Sequence, residues 1–507
     1  MKLIWKSCGL VLQVLATVAL ATPVMAEIVN INLLQLNDIY EITPVEGGTR
    51  GGLARVATLR QQLYKANPRT YTVLAGDAFS PSALGTAKIN GTPLAGQQMV
   101  AVMNAVGFDY ATFGNHEFDL PENLFYQRLQ ESRFRWVSGN VSDSKGQPFK
   151  GVPRSIIFNV KGDRGAVVRV GLIGLTLNSN QPSYVSYTDP IETAKQQVKA
   201  LKGKVDIVVA ITHLPIGSDR ILAETIPEID IILGGHEHEN IQQWRGRDFT
   251  PIFKADANAR TVYVHQLSYD TIKKSLQINS RLVPIIEKIP DEPKTAMIVK
   301  EWLEKGYQAF RANGFEPNQE VAKLSFALDG LESSVRNKST QLTELIAAAM
   351  LKEVPDADLA IFNGGSIRVD DVIPPGPITQ YDVIRILPFG GKVVAVEING
   401  TLLKRVLAQG QINQGTGGYL QTANVSQAPS SGDWVIKDRK IDPKRIYKVA
   451  INDFLISGKE KGLDFLNLQQ PGIKLIAEKR DIRFAVIEQL KSQTTNSQVR
   501  KCSYCYK

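Results

Sequence analysis

Four of the five histidines fall in three short blocks, GNHEFD (Asn115, His116, Asp119), THLP (His213) and GGHEHE (His236, His238), each directly after an apolar run. Two aspartates stand in the same relation to apolar runs of their own, Asp38 in LLQLND and Asp77 in TVLAGD. Carboxylate, amide oxygen and imidazole together make a ligand set for Zn, Mn or Fe, and a bridging carboxylate holds two such ions ~3.5–4 Å apart. A lone histidine is ordinarily structural. The ordered set D, GD, GNH, H, GHxH reads as metal chemistry.

Such a set needs elements that bring distant residues together. Residues just past several parallel strands converge on one crevice, so five apolar strands are each expected to end in a ligand. From Ile31 to about Ile289, strand-like runs such as YTVLA, VDIVVAI and IDIIL alternate with helical stretches, the pattern of an α/β layered fold. The segment 290–313 opens with prolines and carries apolar residues at helical spacing, Met297, Trp302, Tyr307 and Phe310, which predicts a linker helix. A second α/β domain is expected to run to about Leu490, and the chain holds no internal repeat.

The first 26 residues, with Lys2 and Lys6 ahead of an apolar stretch ending in Val24-Met25-Ala26, have the form of a secretory signal peptide cleaved after Ala26. This predicts a periplasmic or secreted protein. Loss of the two lysines takes the formal net charge from +9 to +7. The basic residues are dispersed, which favours a solvated surface over nucleic-acid binding and remains compatible with a cleft for phosphorylated small molecules. No later segment is apolar enough to span a bilayer. Cys502 and Cys505 form a CSYC pair near the end; two cysteines cannot close a zinc site, and a local disulfide is the expected state. About 480 residues beyond the leader exceed a single core, so two domains are expected.

The blocks resemble those of the calcineurin-like dimetal phosphoesterases, and more narrowly the two-domain periplasmic 5'-nucleotidase and UDP-sugar hydrolase family, from about Ile31 to about Phe465. The resemblance implies a four-layer α/β/β/α sandwich followed by an α/β substrate-binding domain. The corresponding divisions are 1–26 (leader), 27–290 (phosphoesterase domain), 291–318 (linker helix), 319–490 (substrate-binding domain) and 491–507 (tail). It implies two divalent ions, Zn or Mn. Asp38 and His238 would hold the first, Asp77 would bridge, and Asn115, His213 and His236 would hold the second. His116, oriented by Asp119, would face the substrate near the leaving group while a water activated by the ions attacks phosphorus. Domain rotation about the linker would admit substrate and release product.

Two positions depart from the family pattern. Tyr40 stands in NDIY where the family usually has NDxH; either the first ion is bound more weakly, or it is iron held by a phenolate, or Tyr40 only fills space. In the second half, NGGSIR supplies Asn363 and Arg368, ILPFGG supplies Phe389, and INDFLISG supplies Phe454. Arginine suits phosphate and the two phenylalanines suit the faces of a base. By resemblance Phe389 and Phe454 sandwich the nucleobase and Arg336 helps bind substrate. The family's GGDG appears as GKEKG, placing Glu460 where an aspartate holds the ribose. The expected activity is release of phosphate from nucleoside 5'-monophosphates. Alternatives are a 2',3'-cyclic nucleotide phosphodiesterase or UDP-sugar pyrophosphatase on the same scaffold, or a nucleotide-binding protein without catalysis.

Overall fold

Strand β1 (Ile28–Leu36) carries apolar residues on both faces and is buried from Ile31 onward, which marks a strand covered from two sides. In the computed structural model, which describes residues 27–428 and 431–503, Val29, Ile31 and Leu33 face a second sheet while Leu34 and Leu36 face helices. Strand β1, β2 (Thr70–Ala75), β3 (Tyr110–Thr112) and β4 (Arg135–Trp136) run parallel. The second sheet is formed by β5 (Ser155–Lys161), β6 (Val167–Thr176), β7 (Ile207–His213), β8 (Ile231–Gly234), β9 (Ile241–Arg245) and β10 (Thr250–Lys254). Its order is β5-β6-β7-β8-β10-β9, parallel from β6 through β10. Strands β11 (Thr261–Asp270) and β12 (Ser275–Pro284) return antiparallel to the β1 edge of the first sheet.

Helices α1 (Leu53–Ala66) and α2 (Gln97–Val106) cover the outer face of the first sheet, with Leu53, Val56, Met99 and Val102 in its apolar cluster. Helices α3 (Pro190–Leu201) and α4 (Ile216–Thr225) cover the second sheet through Ala194, Val198, Leu222 and Ala223. Along β7, Val209 and Ile211 point between the sheets while Val208 and Ala210 point at these helices. The four layers α/β/β/α follow from this two-sided burial.

Helix α5 (Pro293–Arg311) begins with Pro293 in its first turn, and the Glu292 carboxylate accepts the Thr295 N–H at 2.7 Å. Ile298, Val299, Trp302, Leu303, Tyr307 and Phe310 pack on an apolar cluster drawn from both domains, with the Tyr307 ring 4.9 Å from that of Tyr381 in the C-terminal half. The helix is therefore docked along its length. Met297, one of the four positions on which the helix was predicted, is 70% exposed. Beyond it, β13 (Leu359–Asn363), β14 (Lys392–Asn399), β15 (Leu420–Ala423), β16 (Ile446–Asn452) and β17 (Ile473–Asp481) form a mixed sheet ordered β15-β13-β16-β14-β17. Helices α6 (Gln341–Glu353) and α8 (Ile482–Ser503) line one face and α7 (Gly400–Ile412) the other. The leader (1–26), the side chain of Cys502 and all of Cys505 lie outside the described residues. Among the described residues no helix is long and apolar enough to cross a membrane.

One buried carboxylate gives this fold a pH signature away from the site. Asp230 precedes β8 and accepts the Val208 N–H at 2.7 Å, and burial pushes its carboxyl up to about 6. Between the unfolded value near 3.8 and that folded value, the native chain holds the proton more tightly than the unfolded chain. Stability therefore falls as pH rises through this window and stays lowered above it. Asp230→Asn keeps an oxygen acceptor without the charge, so it should stabilise by about 2 kcal/mol at pH 8 and have no effect near pH 4. Thermal melts of both proteins at the two pH values check this; equal shifts at both would rule out the charge as the cause.

Candidate metal centre

Each of the five parallel strands β1, β2, β3, β7 and β8 ends at a residue singled out from the sequence: Asp38, Asp77, Asn115, His213, and the His236–His238 pair. Asp38, Asp77 and His213 are fully buried, and one ligand atom from each lies within 4.8 Å of the others. His213 Nε2 is 3.2 Å from Asp77 Oδ2 and 3.8 Å from Asp38 Oδ1. His238 Nε2 is 3.3 Å from Asp38 Oδ1. The His236 ring lies 5.4 Å from that of His213, and its backbone N–H donates to Asp38 Oδ2 at 2.9 Å.

The backbone is strained where these side chains are presented. Asp38, Asp77, His236 and His238 all have positive φ (52°, 59°, 92° and 62°), a region costing about 1–3 kcal/mol per non-glycine residue and found mostly where function demands it. Two glycines make the close approaches possible. A Cβ on Gly76 would lie 2.5 Å from His213 Nδ1, and one on Gly114 would overlap Asp77 Oδ1.

The donor chemistry fits a metal ion. Asn115 Oδ1 is buried with no hydrogen-bond partner, an expensive state unless a cation meets it, and His213 Nε2 faces only the carboxylates of Asp77 and Asp38. His213 Nδ1–H donates to Ala75 O at 2.8 Å, which fixes the tautomer that leaves Nε2 free as a ligand atom. Burial alone would raise Asp77, yet the positive charges of His213 and His116 offset it and hold the carboxyl at about 2. Burial lowers His213, but Asp77 and Asp38 prevail and push it up to about 9. Two buried carboxylates thus draw positive charge into this spot, and a divalent cation answers the same demand.

Tyr40 lies inside the cluster. Its Oη is 3.0 Å from Asp77 Oδ2, 3.2 Å from Asp38 Oδ1 and 3.0 Å from His238 Nε2. Burial, then the negative charges of Asp77 and Asp38, raise the phenol well above its ordinary value. His116 does not enter the cluster with its side chain. Its Nδ1 is 2.7 Å from Asp119 Oδ2, and Asp119 is held in turn by Asn180 at 2.5 Å.

The C-terminal residues gather on the facing wall. Arg368 Nη2 reaches to 3.4 Å from His116 Nε2 and its guanidinium lies 5.9 Å from the Phe389 ring. Phe389 and Phe454 are 58% and 42% exposed, unusual for phenylalanine and available for stacking. Their loops meet, because a Cβ on Gly391 would lie 2.7 Å from Asp453 Oδ1. Asn363 donates to Glu460 Oε2 at 2.8 Å, and Arg336 is ion-paired with Glu332 just ahead of α6. A cleft of about 440 Å³ passes Phe79, Asp119, Phe310, Phe389 and Arg483 between the domains.

Three supporting residues escaped the sequence reading. Glu117, inside the GNHEFD block, accepts the N–H groups of Asp77, Ala78, Phe79 and Gly114 and so ties two ligand loops together. Lys254, fully buried, donates to Leu214 O at 2.6 Å and Gly235 O at 2.8 Å and pairs with Asp219 and Glu237. It clamps the loops carrying His213 and His236 from behind. A lysine inside the apolar run PIFKA was the signal available for it. Asp370 is the third, at 2.8 Å from His238 Nδ1.

A two-sheet sandwich with carboxylate, amide and imidazole groups at its parallel strand ends defines a calcineurin-like phosphoesterase. Comparison agrees: residues 31–240 match the calcineurin-like phosphoesterase family and residues 320–467 match the 5'-nucleotidase C-terminal domain family. The chain belongs to the two-domain 5'-nucleotidase family of metal-dependent phosphohydrolases. It is 28% identical over 471 residues to the 5'-nucleotidase of Bos taurus, covering 80% of this chain and 78% of that one. It is 29% identical over 430 residues to the trifunctional nucleotide phosphoesterase YfkN of Bacillus subtilis; the match takes in 75% of this chain but only 28% of that longer protein. The crystal structure of a Thermus thermophilus 5'-nucleotidase precursor has the same fold, with a TM-score of 0.72 at 24% identity over 92% of this chain and 97% of that one.

Proposed function

We propose that this chain releases phosphate from nucleoside 5'-monophosphates at a two-ion centre, outside the cytoplasm. The reading is carried by one juxtaposition: Arg368 of the C-terminal half meets His116 beside the buried Asp38–Asp77–His213 cluster, so a phosphate anchor and a metal-ligand set face the same crevice. Asp38 and His238 would hold one ion, Asn115, His213 and His236 the other, with Asp77 between them. Ions there, Zn or Mn with iron an option beside Tyr40, would supply a water of lowered pKa and offset the charge developing on phosphorus.

The remaining work belongs to the protein. Arg368 would bind the phosphoryl oxygens in its planar fork. With Nδ1–H engaged by Asp119, His116 presents Nε2 to the crevice, where it can hold a proton against the departing ester oxygen. Phe389 and Phe454 would stack on the base, Asn363 and Glu460 would hold the ribose, and Arg336 would add positive charge beside them. The names of the bovine and Bacillus relatives, a 5'-nucleotidase and a nucleotide phosphoesterase, support a nucleotide substrate.

The test is phosphate release from AMP, UMP, UDP-glucose, 2',3'-cyclic AMP and a simple aryl phosphate, with Mn or Zn added and metal content measured on the purified chain. The monophosphates should turn over fastest and a chelator should stop them. No release from AMP or UMP with either metal would leave a binder or a phosphodiesterase instead.

A further inference from the structure

The ring of His238 is held by the opposite domain. Its Nδ1 lies 2.8 Å from Asp370 Oδ2, while its Nε2 faces Asp38 and Tyr40. His238 belongs to the segment matched by the phosphoesterase family and Asp370 to that matched by the C-terminal domain family. Asp370 is 5% exposed, sits at φ 38° in the left-handed region, and accepts the Glu332 N–H at 2.9 Å with its other oxygen. Arg260 stands 3.9 Å away. A strained, buried carboxylate fixed at both oxygens is aimed at one imidazole nitrogen.

We propose that Asp370 is a positioning residue that accepts the Nδ1 proton of His238 across the domain boundary and thereby fixes Nε2 as a ligand atom, so that the metal centre is complete only with the C-terminal domain in place. The inference rests on the metal-binding reading above. Histidine ligands usually donate their second N–H to a carboxylate or carbonyl, which sets the ring's orientation and raises its basicity. His213 finds such a partner within its own domain, Ala75 O. His238 finds it on the other. The two ions are therefore unequal: at one, His213 is held from within the phosphoesterase domain, and the affinity for the other reports the position of a separate domain. By linkage, whatever ligand favours this docked arrangement tightens that ion, and the ion favours the ligand by the same factor.

The experiment is Mn²⁺ binding to the full chain by competition with a fluorescent chelator, for the wild type, Asp370→Ala and Asp370→Asn, beside melts of the metal-free proteins. The wild type should take two ions. Asp370→Ala should weaken one of them 10–100-fold and leave the other unchanged, with Asp370→Asn intermediate, since its one oxygen serves only one of the two donors. Excess Mn²⁺ should restore the lost turnover, which a loss of packing would not permit. Unchanged affinities in a folded Asp370→Ala, or an equal loss at both ions that Mn²⁺ does not rescue, would overturn the proposal. Should the alanine variant not fold, the isosteric asparagine makes the same comparison. A wild type that takes no Mn²⁺ would bring down the metal reading and this inference with it, whereas a two-ion wild type with an unaffected variant removes the inference alone.

Discussion

Asp77→Asn is expected to lower kcat/KM for AMP by about 10⁴-fold, or ~5.5 kcal/mol of transition-state stabilisation, and to reduce the bound metal below two ions per chain. The carboxylate lies between the groups proposed above for the two ions, with Oδ2 toward His213 and Tyr40 and Oδ1 accepting the His116 N–H at 2.8 Å. Asparagine has the same shape but neither the charge nor a second acceptor, so it cannot bridge. The backbone is not the cause of the loss, because φ is 59° at this position and asparagine tolerates the left-handed region as well as aspartate does. The metal-free variant should therefore melt within a few degrees of the wild type. Metal analysis and steady-state kinetics on the same preparation check the result. Full occupancy with more than a tenth of the activity would show that Asp77 does not join the ions.

The framework of this candidate site was legible in the sequence because metal-binding residue types at strand ends are a local signal. An apolar run followed by GD, GNH or GGH states both the strand and the residue it delivers, and all five such runs deliver their residue to one side of the sandwich. What could not be read is held by contacts far apart in the chain. Lys254 acts on Leu214 and Gly235 from a neighbouring strand, and Asp370 acts on His238 over 132 positions. Neither has a spacing rule to betray it. Tyr40 shows the boundary between the two kinds of information. Its departure from the family pattern is visible in four letters, but its hydroxyl meeting Asp38, Asp77 and His238 at once is a tertiary fact. The helix Pro293–Arg311 is a similar case: its prolines and apolar spacing announce it, whereas its docking depends on which face meets a partner.

His116→Ala should cost about 10²–10³ in kcat for AMP while leaving both ions in place. Its imidazole points away from the buried carboxylates toward Asp119 and Arg368, so removing the ring takes away no ligand. The size of the loss should depend on the ester. A nucleoside alkoxide is a poor leaving group and needs a proton as the P–O bond breaks; a nitrophenolate does not. The variant should therefore hydrolyse p-nitrophenyl phosphate within about tenfold of the wild-type rate, a difference that a defect in binding or folding would not produce. Asp119→Asn should move in the same direction by less, because the ring remains and loses only the carboxylate that fixes its tautomer. Equal losses with both esters would place His116 on the phosphoryl oxygens, where it would assist Arg368 in stabilising charge and take no part in the departure of the nucleoside.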